Sequence, residues 1–150
     1  LANAFVENNL NLTQIFGRNE EDLKQISNKT NVPYSTEILE DADFYIIAVN
    51  DGAVEEVSSF ITKKNCLVAH TSGSLPKEIL KGDYRKGVFY PLQTFSKSKI
   101  LNYQKIPFFL EAENDSFKSA VAKVNTIIEQ RLAAIETIIA TGELSKKLDK

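Results

Sequence analysis

The chain has 150 residues, 43% hydrophobic and 25% charged, with a net charge of -2. These values suit one soluble globular domain with its own core, and they exclude a basic nucleic-acid-binding surface. No apolar run approaches the roughly 20 residues of a membrane span, and one Cys and one His speak against a disulfide framework or a zinc site.

The chain holds no Met and opens at Leu1, so a longer encoded protein is expected. The opening LANAFVENNLN has no basic n-region and no apolar h-region, which predicts no signal peptide. With Cys66 alone, a reducing cytoplasm is the expected compartment.

In chain order, Leu1, Ala4 and Phe5 have helical spacing. Leu12 to Phe16 reads as a strand running into the turn Gly17-Arg18-Asn19. NEEDLKQISNKT has acidic residues in its first turn and Leu23 and Ile26 on one face, which predicts a short helix. Tyr34 belongs to a connector or short strand, and Ser35 to Leu39 reads as one helical turn.

FYIIAV (Phe44 to Val49) is continuously apolar, the pattern of a strand buried on both faces of a parallel sheet. Asn50-Asp51-Gly52 closes it. A helix follows, with Ala53, Val54, Val57, Phe60 and Ile61 on one face and Asp51 as the expected N-cap. Cys66 to His70 is the next strand. Ser72 to Pro76 reads as a helix start, with Ser74 as cap and Gly73 permitting close backbone approach. Gly87 to Leu92 and Ile106 to Ala112 are further strands. In the tail, Phe117, Val121, Val124, Ile128, Ile135 and Ile138 keep a helical rhythm up to Gly142.

Strands alternating with helices predict an α/β fold with a mostly parallel, doubly wound sheet. Such sheets bind ligands beyond the carboxyl ends of their strands. Three polar clusters fall there: Gly17-Arg18-Asn19, Asn50-Asp51-Gly52 and His70-Thr71-Ser72-Gly73. Gln93 and Thr94 follow the fourth strand.

Arg18 stands where dinucleotide folds read the adenosine ribose, and a guanidinium there pairs with a 2′-phosphate through a planar fork. Taken alone it is also an ordinary solvated arginine. Asn50 and the adjoining backbone would touch a ribose or nicotinamide. For His70 three roles are open: proton transfer, ligand hydrogen bonding, or satisfying main-chain groups at the strand end. The third needs the fewest assumptions. A Ser-His-acid triad does not fit, because Ser72 is only two residues from His70 and no GxSxG occurs.

AVND at 48–51, VAHTSGSLP at 68–76 and GVFYPLQTFSK at 87–97, followed by IPFFLEA, resemble a family of Rossmann-like bacterial proteins. These are assigned as NADP oxidoreductases of the deazaflavin-dependent or pyrroline-carboxylate-reductase-like type. The resemblance covers roughly residues 1–125. It implies an N-terminal dinucleotide-binding domain over 1–125 and the start of a helical, homodimer-forming domain over 126–150. It implies that Arg18 and Asn19 face the 2′-phosphate side and that Val49, Asn50 and Asp51 line the cofactor. His70, Thr71, Ser72 and Gly73 would border the nicotinamide, with Gln93 and Thr94 near the substrate.

The family opens with a strand and a glycine-rich GxGN loop, whereas this chain starts inside the helix that follows. The expected function is NADP-dependent hydride transfer to or from a small carbonyl, imine or alcohol, with His70 as the candidate proton carrier. The alternative is a nucleotide-binding sensor module without turnover. Neither nucleic acid nor membrane is an expected partner.

Overall fold

The continuous apolar runs become strands and the mixed segments between them become helices. The computed structural model describes residues 1–93, 106–112 and 138–139. Thr94 and most of the tail, including all of the expected dimer-forming segment except Ile138 and Ile139, therefore lie outside the described residues. Two compact units are distinguished, Leu1–Ala42 and Asp43–Lys150.

The first unit contains α1 (Ala2–Glu7), β1 (Ile15–Phe16), α2 (Glu20–Thr30) and β2 (Tyr34–Ser35). The two strands pair in parallel, Ile15 with Tyr34 and Phe16 with Ser35. α2 starts where its composition predicts. The Asn19 side chain accepts the Asp22 N–H at 3.2 Å, and Glu20, Glu21 and Asp22 place negative charge at the positive end of the helix. It ends at Asn31, whose φ of 57° is left-handed.

Two expectations change in this unit. The strand is limited to Ile15–Phe16, and the Gln14 side chain binds Ile38 O and the Glu40 N–H instead. The helical turn over Ser35–Leu39 is a serine turn: Ser35 Oγ accepts from the N–H groups of Glu37 and Ile38. A hydroxyl that satisfies these donors locally removes the need for a helix.

The second unit contains β3 (Phe44–Ile47), α3 (Asp51–Ser59), β4 (Leu67–His70), a single 3-10 turn (Lys77–Ile79), β5 (Arg85–Pro91), β6 (Phe108–Ala112) and β7 (Ile138–Ile139). The sheet order is β3-β4-β5-β6-β7. β3, β4 and β5 run parallel, with Ile47 opposite His70 and His70 opposite Val88. β6 returns antiparallel to β5, and β7 is parallel to β6. The fold is α/β with mostly parallel strand pairs. At Ile138 and Ile139 the helical rhythm of the tail gives way to strand, the conformation that suits a β-branched pair.

The core explains the continuous apolar run of β4 but not that of β3. At the end of the sheet order, β3 buries only Ile47, with Phe44, Tyr45 and Ile46 half-buried, so the burial on both faces expected for FYIIAV does not hold. Every residue of β4 is buried, and Leu67, Val68, Ala69 and Phe89 are at most 1% exposed. Side chains alternate across a strand, so complete burial means that both faces are covered. Each large side chain among them contributes roughly 1.5–3 kcal/mol. α3 buries Val54 and, just past its end, Ile61. Phe60, expected on the same face, is 48% exposed because the helix stops at Ser59 and Phe60 is its C-cap.

A polar knot ties α3 to the loop before β5. Ser58 is fully buried; its Oγ donates to Glu55 O at 2.7 Å and accepts the Lys81 N–H at 2.8 Å. The buried Tyr84 hydroxyl lies within 3.0 Å of Ser58 O and 2.9 Å of Lys81 O. Burial, slightly offset by the Ser58 bond, holds the Tyr84 phenol above its ordinary value. A methyl group at Gly82 would collide with the Tyr84 ring, so this turn requires glycine.

Candidate functional site

The parallel register brings the carboxyl ends of β3, β4 and β5 to one edge of the sheet. Ala48 to Gly52 leave β3 there, Thr71 to Leu75 leave β4, and Leu92 and Gln93 leave β5. β6 begins at the same edge, where Leu92 N–H bonds Pro107 O at 2.9 Å. The structure therefore groups Val49, Asn50, Asp51, His70, Thr71, Ser72, Gly73 and Gln93. Arg18 and Asn19 belong to the other unit. Thr94 is outside the described residues.

His70 is wholly buried at the end of β4. Its Nδ1 accepts the Ser72 N–H at 3.1 Å, and its Nε2 lies 3.2 Å from Pro76 O. An accepting Nδ1 puts the ring proton on Nε2, which donates to Pro76. Both nitrogens of the neutral ring are thus used by the main chain. Burial lowers the imidazole pKa below its usual 6.5, against opposing contributions from the Pro76 bond and from Asp51 and Glu111. Of the three open roles, this geometry is that of a histidine that holds the turn.

The hydroxyls beyond it form a directed chain. Ser74 Oγ donates to Asp51 Oδ2 at 2.6 Å. Its proton is then committed, so Ser72 Oγ, 3.2 Å away, donates to Ser74. Ser72 Oγ also accepts the N–H groups of Ser74 and Leu75 at 3.1 and 3.2 Å. Ser72 is saturated and buried, whereas Asp51 stands exposed at the end of the chain. The Ser74 bond, with the Ser72 hydroxyl behind it, holds the Asp51 carboxyl below the ordinary 3.8.

This arrangement revises two roles read from sequence. Asp51 is the first residue of α3, Asn50 is the N-cap, and neither side chain caps the helix. Ser74 caps nothing; Ser72 makes the turn, and a 3-10 turn replaces the expected helix after Pro76. The first turn of α3 keeps N–H groups that no helical carbonyl can reach. The space above Gly52 is open, with no atom within 4 Å of where a Cβ would stand. Val49 and Leu92 add exposed apolar surface, 40% and 37% accessible.

Three features of this edge were not identified from the sequence. The first is the Ser74–Asp51 bond. The second is an ion pair: Lys77 Nζ, on a side chain 17% exposed, meets Glu78 at 2.9 Å and Glu111 at 3.2 Å. The bond to Glu78, followed by that to Glu111, raises the Lys77 pKa. A lone charge in the apolar strand IPFFLEA was its available signal. The third is Tyr90, whose ring lies against Gly73 and stacks on Phe109 at 6.1 Å.

In the first unit, Arg18 is exposed at the carboxyl end of β1, beside an open depression that it lines with Asn19, Glu20, Glu21 and Lys24. Its guanidinium has no partner among the described residues. The Asn19 side chain is used in capping α2.

No protein-family model matches the chain, and no curated protein matches it. Solved structures do. A "putative NADP oxidoreductase" from Bacteroides fragilis superposes with a TM-score of 0.78 at 28% identity, over 99% of this chain and 59% of that one. A pyrroline-5-carboxylate reductase from Coxiella burnetii gives 0.67 at 14% identity, over 97% of this chain and 56% of that one. The prephenate dehydrogenase of A. aeolicus, in complex with hydroxyphenyl propionate and NAD+, gives 0.67 at 14% identity, over 92% and 55%. This chain thus spans less than two thirds of the length of each. The fold is α/β of the Rossmann type found in these proteins.

Proposed function

We propose that this chain is the nucleotide-binding part of a nicotinamide-dependent oxidoreductase that prefers NADP. One observation carries the reading. Three parallel strands end side by side and present Asn50, Asp51, Thr71, Ser74 and Gln93 at the edge where such sheets take ligands. The likeness to an NADP oxidoreductase at 28% identity supports it.

The residues present suit parts of the cofactor. Asn50 has an amide with no side-chain partner among the described residues. The N–H groups at the start of α3 and the open space at Gly52 admit a ribose. Val49 and Leu92 offer apolar surface to a flat ring. The sequence holds no G-x-G, so these residues supply no glycine-rich cradle for the pyrophosphate. In the first unit, Arg18 is the proposed contact of the 2′-phosphate, since a free, exposed guanidinium is the group that reads it.

The bound nicotinamide would supply or accept a hydride, with a small carbonyl, imine or alcohol as the other reactant. The chain would bind, orient and polarise. His70 would contribute by fixing the β4 turn through its two main-chain bonds.

The test is a fluorescence titration of the protein with NADPH and NADH, followed by NADPH oxidation assays with small ketones, aldehydes and cyclic imines. Tighter binding of NADPH is expected. Failure to bind either nucleotide would overturn the reading. Binding without turnover of any carbonyl or imine would replace it with that of a sensor module.

A further inference from the structure

The candidate site needs a group to give a proton to the reacting oxygen or nitrogen, and His70 has no free ring nitrogen to do so. The serine hydroxyls are also committed: Ser72 is saturated, and the proton of Ser74 belongs to Asp51. Thr71 Oγ1 points to Ile47 O at 3.4 Å.

Tyr90 is different. It lies on β5 just before Pro91, two residues beyond Val88, the register partner of His70. Residues two apart on a strand share a face, so the Tyr90 ring rises on the His70 side, level with the turn that leaves β4. Gly73 of that turn packs on the ring so closely that a Cβ there would stand 2.5 Å from Tyr90 Cζ. On β6, Phe109 stacks against the same ring. The ring is therefore clamped from two sides, with the atom that bears its hydroxyl at the HTSGS turn. That hydroxyl has no hydrogen-bond partner among the described residues, and since no unpartnered side-chain oxygen is buried among them, its oxygen is open to solvent.

We infer that Tyr90 is a catalytic residue, the hydroxyl that hydrogen-bonds and protonates the carbonyl oxygen or imine nitrogen of the substrate. The inference rests on the oxidoreductase reading and names the acid it lacks. In the reducing direction the reduced nicotinamide, when bound, would supply the hydride to the substrate carbon and would be oxidised by that loss. The π electron pair moves to oxygen or nitrogen, and that atom takes the proton from Tyr90 Oη. The tyrosinate then recovers a proton from solvent. In the oxidising direction each transfer reverses. A rigid ring suits this work, because a donor held in place needs no reorganisation as charge develops on the acceptor.

Tyr90→Phe keeps the ring, the Phe109 stacking and the Gly73 contact and removes only the hydroxyl. Its turnover should fall by about 10²–10⁴-fold, with NADPH affinity and melting temperature unchanged. Wild-type turnover in this variant would overturn the inference.

A second measurement is independent of turnover. The protein is labelled at tyrosine Cζ, and the Tyr90 resonance is identified among the five tyrosines by its absence in Tyr90→Phe. 2-Pyrrolidinone, an unreactive carbonyl acceptor, is then titrated in with and without NADP+. A saturable shift of the Tyr90 resonance alone supports the inference. No shift, or a shift of another tyrosine instead, overturns it. If the wild type binds no nicotinamide nucleotide, the oxidoreductase reading fails, and the lactam titration alone decides the role of Tyr90.

Discussion

Ser74 donates its hydroxyl to Asp51 at 2.6 Å and so joins the turn after β4 to the first residue of α3. The bond favours the ionised carboxylate, which is why the Asp51 pKa lies below 3.8. A depressed carboxyl contributes stability that is fully present above the unfolded value and is lost as pH falls through the folded one. Melting curves recorded from pH 7 down to pH 2 should therefore show wild type above Asp51→Ala at neutral pH. The gap should close only below pH 3.8. A gap unchanged at the acid end would mean that ionisation of Asp51 plays no part.

His70 gives a second, separable pH effect. Its pKa is lowered chiefly by burial, so the unfolded chain takes up a proton before the folded one does. That stability is complete above the ordinary 6.5 and declines as pH falls below it. The chain has a single histidine, so its ring-proton NMR titration is unambiguous, and the midpoint should lie under 6.5. His70→Ala should also destabilise by about 1–3 kcal/mol through the unpaired, buried Ser72 N–H. A midpoint at or above 6.5 would contradict the buried, neutral ring.

Gly73 and Tyr90 set a steric test. Gly73→Ala must push a Cβ into the Tyr90 ring, and overpacking of this kind costs about 1–3 kcal/mol. The same substitution made alongside Tyr90→Ala should cost much less, since the obstacle has gone. Urea denaturation of the four proteins of that cycle measures the coupling, and a coupling near zero would show that the contact does not resist the methyl group.

Arg18→Ala tests the preference for NADP. A charge-assisted bond to phosphate contributes about 1.5–3 kcal/mol, equivalent to roughly a 10- to 150-fold loss in NADPH affinity. NADH affinity should stay as it was, since that nucleotide lacks the 2′-phosphate. Competition binding of the two nucleotides reads the difference directly. Equal losses for both would remove Arg18 from the 2′-phosphate. Arg18 is exposed, so salt screens its attraction for phosphate and low salt should widen the difference.

Much of the strand framework was legible in the sequence. Phe44–Ile47 and Leu67–His70 are the cores of FYIIAV and CLVAH; burial on both faces accounts for the continuous apolar run of the second, whereas the first is half-buried except at Ile47. The α2 boundaries were equally open to reading, since their signals are local: Asn19 and the carboxylates at one end, Asn31 at the other.

Side-chain partnerships across long stretches of chain were not. Asp51 looks like a cap in every local respect, yet its hydrogen bond goes to a residue 23 positions away. Ser72 and Ser74 are interchangeable as residue types, and only the position of Asp51 decides which makes the turn and which crosses to α3. Tyr90 reads as aromatic packing. That its hydroxyl is left over depends on Gly73 and Phe109 arriving from two other segments.

The Ser58 knot carries a consequence for exchange with solvent. Lys81 is an exposed loop residue, yet its amide is bonded to a hydroxyl that is completely buried under Tyr84. Its hydrogen can reach deuterium only when α3 and this loop part from each other. In a deuterium-exchange experiment that one amide should keep time with the central strands while those of the exposed Gly82 and Asp83 exchange at once. The boundary between slow and fast protons would then run through the loop itself and outline a cooperative unit that no secondary-structure element marks.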